Sequence, residues 1–120
     1  MKSISKLKKE LWKLVSQYLR LKYSKCQVCG KPSNQVHHII HRARGNSVYF
    51  HEDNLIVVCY GCHLGMHNRF SPDEINKIIK KVKPNFAVVE VIKYQKKKFH
   101  TWELLEMILN YKQKIKELGG

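Results

Sequence analysis

The chain has 120 residues, with 23 Lys+Arg against 9 Asp+Glu, for a net charge of +14 and a pI near 9.8. That length predicts one domain with a modest core, and that charge points to a polyanionic partner, nucleic acid ahead of a membrane surface. No apolar run is long enough to span a bilayer, and the first 21 residues mix lysines throughout instead of forming a signal-peptide core, so the expected location is cytoplasmic.

Ile4, Leu7, Leu11, Leu14, Tyr18 and Leu21 recur at alternating three- and four-residue steps, which predicts an amphipathic helix from Ser3 to about Lys22. The stripe reads as core, and its heptad register also permits a homodimer seam. Lys6, Lys8, Lys9 and Lys13 lie mostly off it; Lys6, Lys9 and Lys13 are candidates for DNA phosphate contacts, against the plainer reading of a solvated face. After Cys26 and Cys29, Gly30 supplies a left-handed position and Lys31-Pro32-Ser33-Asn34 a turn. Val36–Ile40 reads as a first strand and Leu55–Val58 as a second. Between them, Arg42 and Arg44 stand in a basic loop and are candidates for gripping DNA phosphate with their guanidinium forks.

Ser71-Pro72-Asp73-Glu74 carries the signals of a capped helix start, and Ile75, Ile78, Ile79 and Val82 form the expected buried face, with Pro84 ending the helix. Phe86–Ile92 is β-branched and reads as a strand. Lys96–Lys98 is a basic, solvated loop. A last helix starts at Thr101, with Leu104, Ile108, Tyr111, Ile115 and Leu118 on one side and Gly119 just past its end. The charge is uneven: residues 1–25 carry 8 basic and 1 acidic side chain, residues 26–70 carry 4 and 2, and residues 71–120 carry 11 and 6. Positive surface therefore flanks a nearly neutral centre.

That centre, residues 26–70, holds all four cysteines and six of the seven histidines. Cys26-x-x-Cys29 and Cys59-x-x-Cys62 are two knuckle-like pairs, and two such pairs complete a closed tetrahedral site for a structural zinc ion. The competing reading is two disulfides in a secreted mini-domain, which the absence of a signal peptide disfavours. His63 and His67 share one helical face and can grip one ion. Cys62 and His63 point about 100° apart on the same helix, so they serve different ions. A second metal site follows, with His37 or His38 as a third ligand. Adjacent residues on a strand face opposite ways, so a local bend is expected where both histidines serve one site. The residues themselves leave open which of the two would be a base.

The order His37-His38, Asn54, Cys59-x-x-Cys62-His63, His67 resembles the HNH (ββα-metal) endonuclease motif, in the branch stapled by zinc knuckles. The resemblance implies a hairpin followed by a helix, holding a metal ion and the scissile phosphate of DNA. It assigns His38 as general base, with His37, His63 and His67 around a catalytic cation and Asn54 orienting the base. The first helix and knuckle, LKKELWKLVSQYLRLKYSKCQVCG, together with the lysine-rich terminal helix, are similar to the NinG/Rap group of phage recombination nucleases. That likeness implies branched DNA as substrate and the cytoplasm of an infected host as location. His37 and His63 stand where that group tends to carry Gly and Asn.

The sequence therefore predicts an α+β fold: an HNH core stapled by Cys26, Cys29, Cys59 and Cys62 and flanked by amphipathic helices, within one domain spanning residues 1–120. The expected activity is metal-dependent hydrolysis of DNA, with structural Zn²⁺ and a catalytic divalent cation, Mg²⁺, Mn²⁺ or another transition metal. The rival readings are a non-catalytic zinc module that binds nucleic acid, and a restriction or homing nuclease.

Overall fold

The computed structural model describes residues 2–33, 35–41 and 46–120. Five helices, α1 (Ile4–Lys22), α2 (Tyr60–Leu64), α3 (Pro72–Val82), α4 (Phe86–Ile92) and α5 (Thr101–Glu117), accompany one antiparallel pair of strands, β1 (Gln35–His38) and β2 (Leu55–Val58). This is the expected α+β class. The backbone divides into two compact units, Met1–Lys22 with Lys98–Gly120, and Tyr23–Lys97. No helix among the described residues is long and apolar enough to cross a membrane.

The first unit pairs α1 with α5. Leu7, Leu11, Val15 and Leu19 of α1 are buried, as are Leu104, Ile108, Tyr111 and Ile115 of α5. Tyr18 meets Tyr111 edge-on at 5.6 Å between ring centroids, and Lys8 lies over the Phe99 ring. The α1 seam thus differs from the expected stripe: Ile4 and Leu21 are largely exposed, and Val15 and Leu19 take their place. A row of four-residue steps is inclined to the helix axis, so the ends of a three-four stripe swing off a seam that follows such a row. The apolar face that could have served a dimer is occupied within the chain by α5. At the other end of α5, Leu118 lies past the last helical residue and is exposed.

The second unit is built on the hairpin, whose register pairs Gln35 with Val58, Val36 with Val57, His37 with Ile56 and His38 with Leu55. All four β2 residues are buried, because both faces of that strand are covered. Ile56 and Val58 pack with Cys26, Cys62, Phe70, Ile78 and Val82. A second cluster joins Val48 to Phe86 and Val89, flanked by Ile39, Ile40, Ile79 and Ile92. Here the expected strand over Phe86–Ile92 is overturned: the segment is a helix. Phe86 and Val89 are buried at a three-residue step, whereas strand alternation would have put Glu90 on the same face as Phe86. Contact with Val48 outweighs the β-branched composition, as packing does for short segments of ambiguous propensity.

The start of α3 follows its sequence signal: Ser71 Oγ accepts from Glu74 N at 3.2 Å, and Glu74 Oε1 accepts from Ser71 N at 3.1 Å. Its isoleucines and Val82 are half-buried rather than buried. The helix before it changes pitch. After Leu64 the chain runs on into a π-helical turn, Gly65–Arg69, closed by a bond from Phe70 N to the Gly65 carbonyl at 2.8 Å. The Phe70 ring lies against the Gly65 backbone, so that a Cβ there would come to 2.6 Å from its Cε1. Glycine at 65 is what lets the ring fill the core and the wide turn close. Gly65→Ala should therefore destabilise the protein by about 1–3 kcal/mol through overpacking. Urea unfolding measures this, and an unchanged midpoint would contradict it.

Candidate metal and catalytic site

Each knuckle is set by its own backbone. Gly30 adopts φ +79°, which turns the chain so that Cys26 N donates to the Lys31 carbonyl at 2.6 Å. Gln27 fastens this loop to β2: its N donates to the Val57 carbonyl at 2.9 Å, and its Oε1 accepts from Val57 N at 2.9 Å. The second knuckle caps α2, with Cys59 Sγ accepting from Cys62 N at 3.5 Å. Cys26 Sγ accepts from Cys29 N at the same distance. All four cysteines are free thiols, not two disulfides.

Their sulfurs lie within 4.8 Å of one another, with Cys29 and Cys59 Sγ 3.6 Å apart. Sulfurs about 2.3 Å from a tetrahedral zinc ion would lie roughly 3.8 Å apart, so the donor set fits. The electrostatics agree. Burial raises the Cys26 thiol, but backbone hydrogen bonds from Cys29, Cys59 and Val28 outweigh it and bring its pKa down to about 6. Cys59 is lowered by the Cys62 N–H, whereas Cys62 is pushed up by burial and by the sulfurs around it. Four thiolates in that space require positive charge at the centre, which a divalent cation supplies.

The imidazoles form a separate group. His37 leaves β1, His63 leaves α2 and His67 leaves the π-turn, and one ligand atom of each lies within 4.8 Å of the other two. His63 Nε2 and His67 Nε2 are 3.2 Å apart, and nitrogens about 2.05 Å from a tetrahedral ion would lie roughly 3.3 Å apart. The His63 Nδ1 atom is buried without a hydrogen-bond partner among the described residues. Burial, then the neighbouring His63 and His67, push the His37 pKa down to about 4, so its lone pair stays available at neutral pH. Burial and His67 likewise lower His63. A three-imidazole site for a divalent cation fits these residues.

His38 goes elsewhere. The strand carries His37 and His38 in plain alternation, without the expected bend, and the His38 ring stacks on Tyr49 at 4.4 Å between centroids. Its Nε2 is 3.1 Å from the Tyr49 carbonyl. A carbonyl oxygen can only accept, so Nε2 carries the proton and, in the neutral ring, Nδ1 carries the lone pair. Burial lowers the His38 pKa, and the Tyr49 carbonyl opposes that shift.

Asn54 ends the short helical turn before β2 and is 0% exposed. Its Oδ1 accepts from Ile40 N at 2.7 Å, and its Nδ2 donates to the carbonyls of Ile40 at 3.1 Å and Val48 at 3.2 Å. It thereby ties Ile40 and Val48 together within the stretch between the strands, next to the Tyr49 carbonyl that His38 meets. Tyr49 carried no sequence signal, because its part is played by the main chain. His41 likewise gave none, yet its ring centroid is 6.3 Å from that of His67. Arg42 and Arg44 lie outside the described residues. Lys6, Lys9 and Lys13 are exposed on α1.

Residues 26–69 match the family model described as HNH endonuclease. That match covers 44 of the 120 residues. It spans the sulfur group, the three converging imidazoles, His38 and Asn54, and the observed β1–β2–α2 order is the hairpin and helix expected of it. No curated protein and no solved structure matches the chain.

Two outcomes are expected from this geometry. Wild-type protein should carry one zinc per chain by elemental analysis, and Cys26→Ala should lose it along with cooperative unfolding of the knuckle region, because structural zinc binding is coupled to folding. A folded Cys26→Ala protein of unchanged zinc content would overturn the assignment. Asn54→Asp keeps the size but replaces the amide nitrogen and its two N–H donors with a carboxylate oxygen that faces two carbonyls. It should destabilise by about 3–5 kcal/mol, as for a buried charge left without a partner. Equal stability in denaturant would show that the amide donors contribute nothing.

Proposed function

We propose that the HNH domain of this chain is a metal-dependent DNA endonuclease in which His38 is the general base. One observation carries the reading: three imidazoles converge while the histidine next in sequence has its tautomer set by a carbonyl. A divalent cation held by His37, His63 and His67 would supply Lewis acidity, stabilising charge on the phosphate and on the departing oxygen; Mg²⁺ or Mn²⁺ suits the role, and the nitrogen donors favour a transition metal in affinity.

The residues of the chain do the rest. His38 Nδ1 takes a proton from water as the water oxygen bonds to phosphorus and the bond to the leaving sugar oxygen breaks. The imidazolium that results keeps its Nε2–H on the Tyr49 carbonyl, which opposes its charge. The burial of His37 keeps that ring neutral and unfit to compete for the proton. Cys26, Cys29, Cys59 and Cys62 form a closed zinc site that fixes the knuckles and takes no part in the reaction. Lys6, Lys9, Lys13, Arg42 and Arg44 attract the DNA backbone. Likeness to recombination nucleases in the N-terminal segment supports branched DNA as the preferred form, and four-way junctions set against linear duplex test that preference.

His38→Ala should lower the cleavage rate by about two to four orders of magnitude, with the affinity for the catalytic cation unchanged in a calorimetric titration. His63→Ala should instead lose cation affinity and be partly rescued by more metal. The neutral ring is the active form, and the folded protein holds the His38 pKa below the ordinary value of about 6.5. Activity at saturating metal is therefore full at neutral pH and falls as pH drops through a midpoint below 6.5. A midpoint above that would contradict His38 as the base, and a dead His37→Ala variant that still binds the cation would reverse the two roles. If the wild type cuts neither plasmid nor junction DNA with any divalent metal, a zinc-dependent binding module is left.

A further inference from the structure

Tyr94 is the most exposed large apolar or aromatic side chain among the described residues, at 80%. It stands just past α4 in the sequence Lys93-Tyr94-Gln95-Lys96-Lys97. The Lys93 ammonium lies 5.1 Å from the ring centroid and covers one face, so the other is open to a planar ligand. The segment is fastened at both ends. Ser47 Oγ donates to the Ile92 carbonyl at 2.9 Å, and Asn46 Nδ2 donates to the Lys97 carbonyl at 3.3 Å. Both donors belong to the turn Asn46–Val48, whose Val48 packs on Phe86 and Val89 and precedes Tyr49, the residue that holds His38. An exposed tyrosine among lysines is thus tied to the loop that supports the base histidine.

We propose that Tyr94, with Lys93, Lys96 and Lys97, forms a stacking site for one unpaired DNA base and its flanking phosphates. The proposal rests on the reading of the chain as a DNA-acting protein. Paired bases have both faces covered by their neighbours, so a tyrosine ring can stack only on a base that is unpaired, flipped or terminal. Three ammonium groups within five residues suit the phosphates on either side of such a base. The same lysines disfavour a protein partner, because the cores of protein interfaces are depleted in lysine. The site sets where along a partly unpaired strand the scissile bond falls. It adds a preference that the imidazole cluster, acting on any phosphodiester, does not supply.

The experiment is a fluorescence titration of full-length protein in EDTA against oligothymidylate carrying one 2-aminopurine, with linear duplex as reference. Wild type should quench the probe. Tyr94→Ala should abolish the quenching and weaken single-strand binding by about 5- to 150-fold, the range of one aromatic–base stack, while duplex binding changes by less than about 2-fold. Tyr94→Trp should restore both. Equal affinity of Tyr94→Ala and wild type for the single strand overturns the site, as does an equal loss for single strand and duplex. Tighter binding of oligouridylate than of oligothymidylate overturns the assignment to DNA. Loss of self-association in Tyr94→Ala, with oligonucleotide binding intact, would give Tyr94 and the neighbouring exposed Val88 and Val91 to another protein chain. A wild type that cuts nothing with any metal yet passes the binding tests removes the nuclease reading and leaves this site standing.

Discussion

The second unit depends on one buried amide. Asn54 has no exposed surface and satisfies one donor and two acceptors on the backbone of Ile40 and Val48. Ile40 and Val48 both lie in the stretch between the strands, and the amide ties these two positions to the start of β2. With both tied, the Ile39 N–H reaches the Asn54 carbonyl at 2.9 Å and extends the hairpin by one bond beyond β1. Val48 is then held in place under α4, and the carbonyl of Tyr49 faces His38. A single side chain of mixed donors and acceptors thus links strand register, loop closure and the protonation pattern of His38. No apolar residue of that size can substitute, since each of those backbone groups would be left buried and unpaired.

A second constraint keeps the two candidate metal centres apart. Cys62 and His63 are neighbours on α2, and a helix turns by about 100° per residue. One therefore faces the first knuckle and the other faces β1 and the π-turn. The short element serves both centres without sharing an atom between them. Its length is only Tyr60–Leu64 before the pitch changes, and the π-turn at Gly65 carries His67 to the same group as His63. Such turns recur at functional sites because a widened turn reorients one side chain at small cost in backbone bonding. Here the packing of Phe70 on a residue without Cβ holds the wider pitch. The sulfur group and the imidazole group can then be close in sequence yet separate in space, each arranged to hold an ion of its own.

Much of this was legible in the residues alone. The knuckle spacing, the left-handed Gly30, the capping box at Ser71 and the pairing of His63 with His67 are local patterns, set by chain geometry over a few positions. For that reason the sulfur group, the imidazole group and the start of α3 could be read without a structure, and the separation of Cys62 from His63 follows from helix pitch. The α+β class and the two flanking helices were readable for the same reason, since apolar periodicity over five turns is a long signal.

What only the tertiary structure decided lies wherever two segments distant in sequence compete for one surface. Phe86–Ile92 is β-branched enough for a strand, yet it coils because Val48 offers a contact at helical spacing. The α1 stripe drifts to Val15 and Leu19 because α5, some ninety residues on, selects an inclined row of side chains. The division of labour between His37 and His38 is of the same kind. Strand alternation dictates that they part, but which ring meets the other imidazoles and which meets a carbonyl depends on where α2 and Tyr49 come to rest. Sequence determines the chemistry a residue can do, because that is a property of its atoms; partners at long range determine which atom does it.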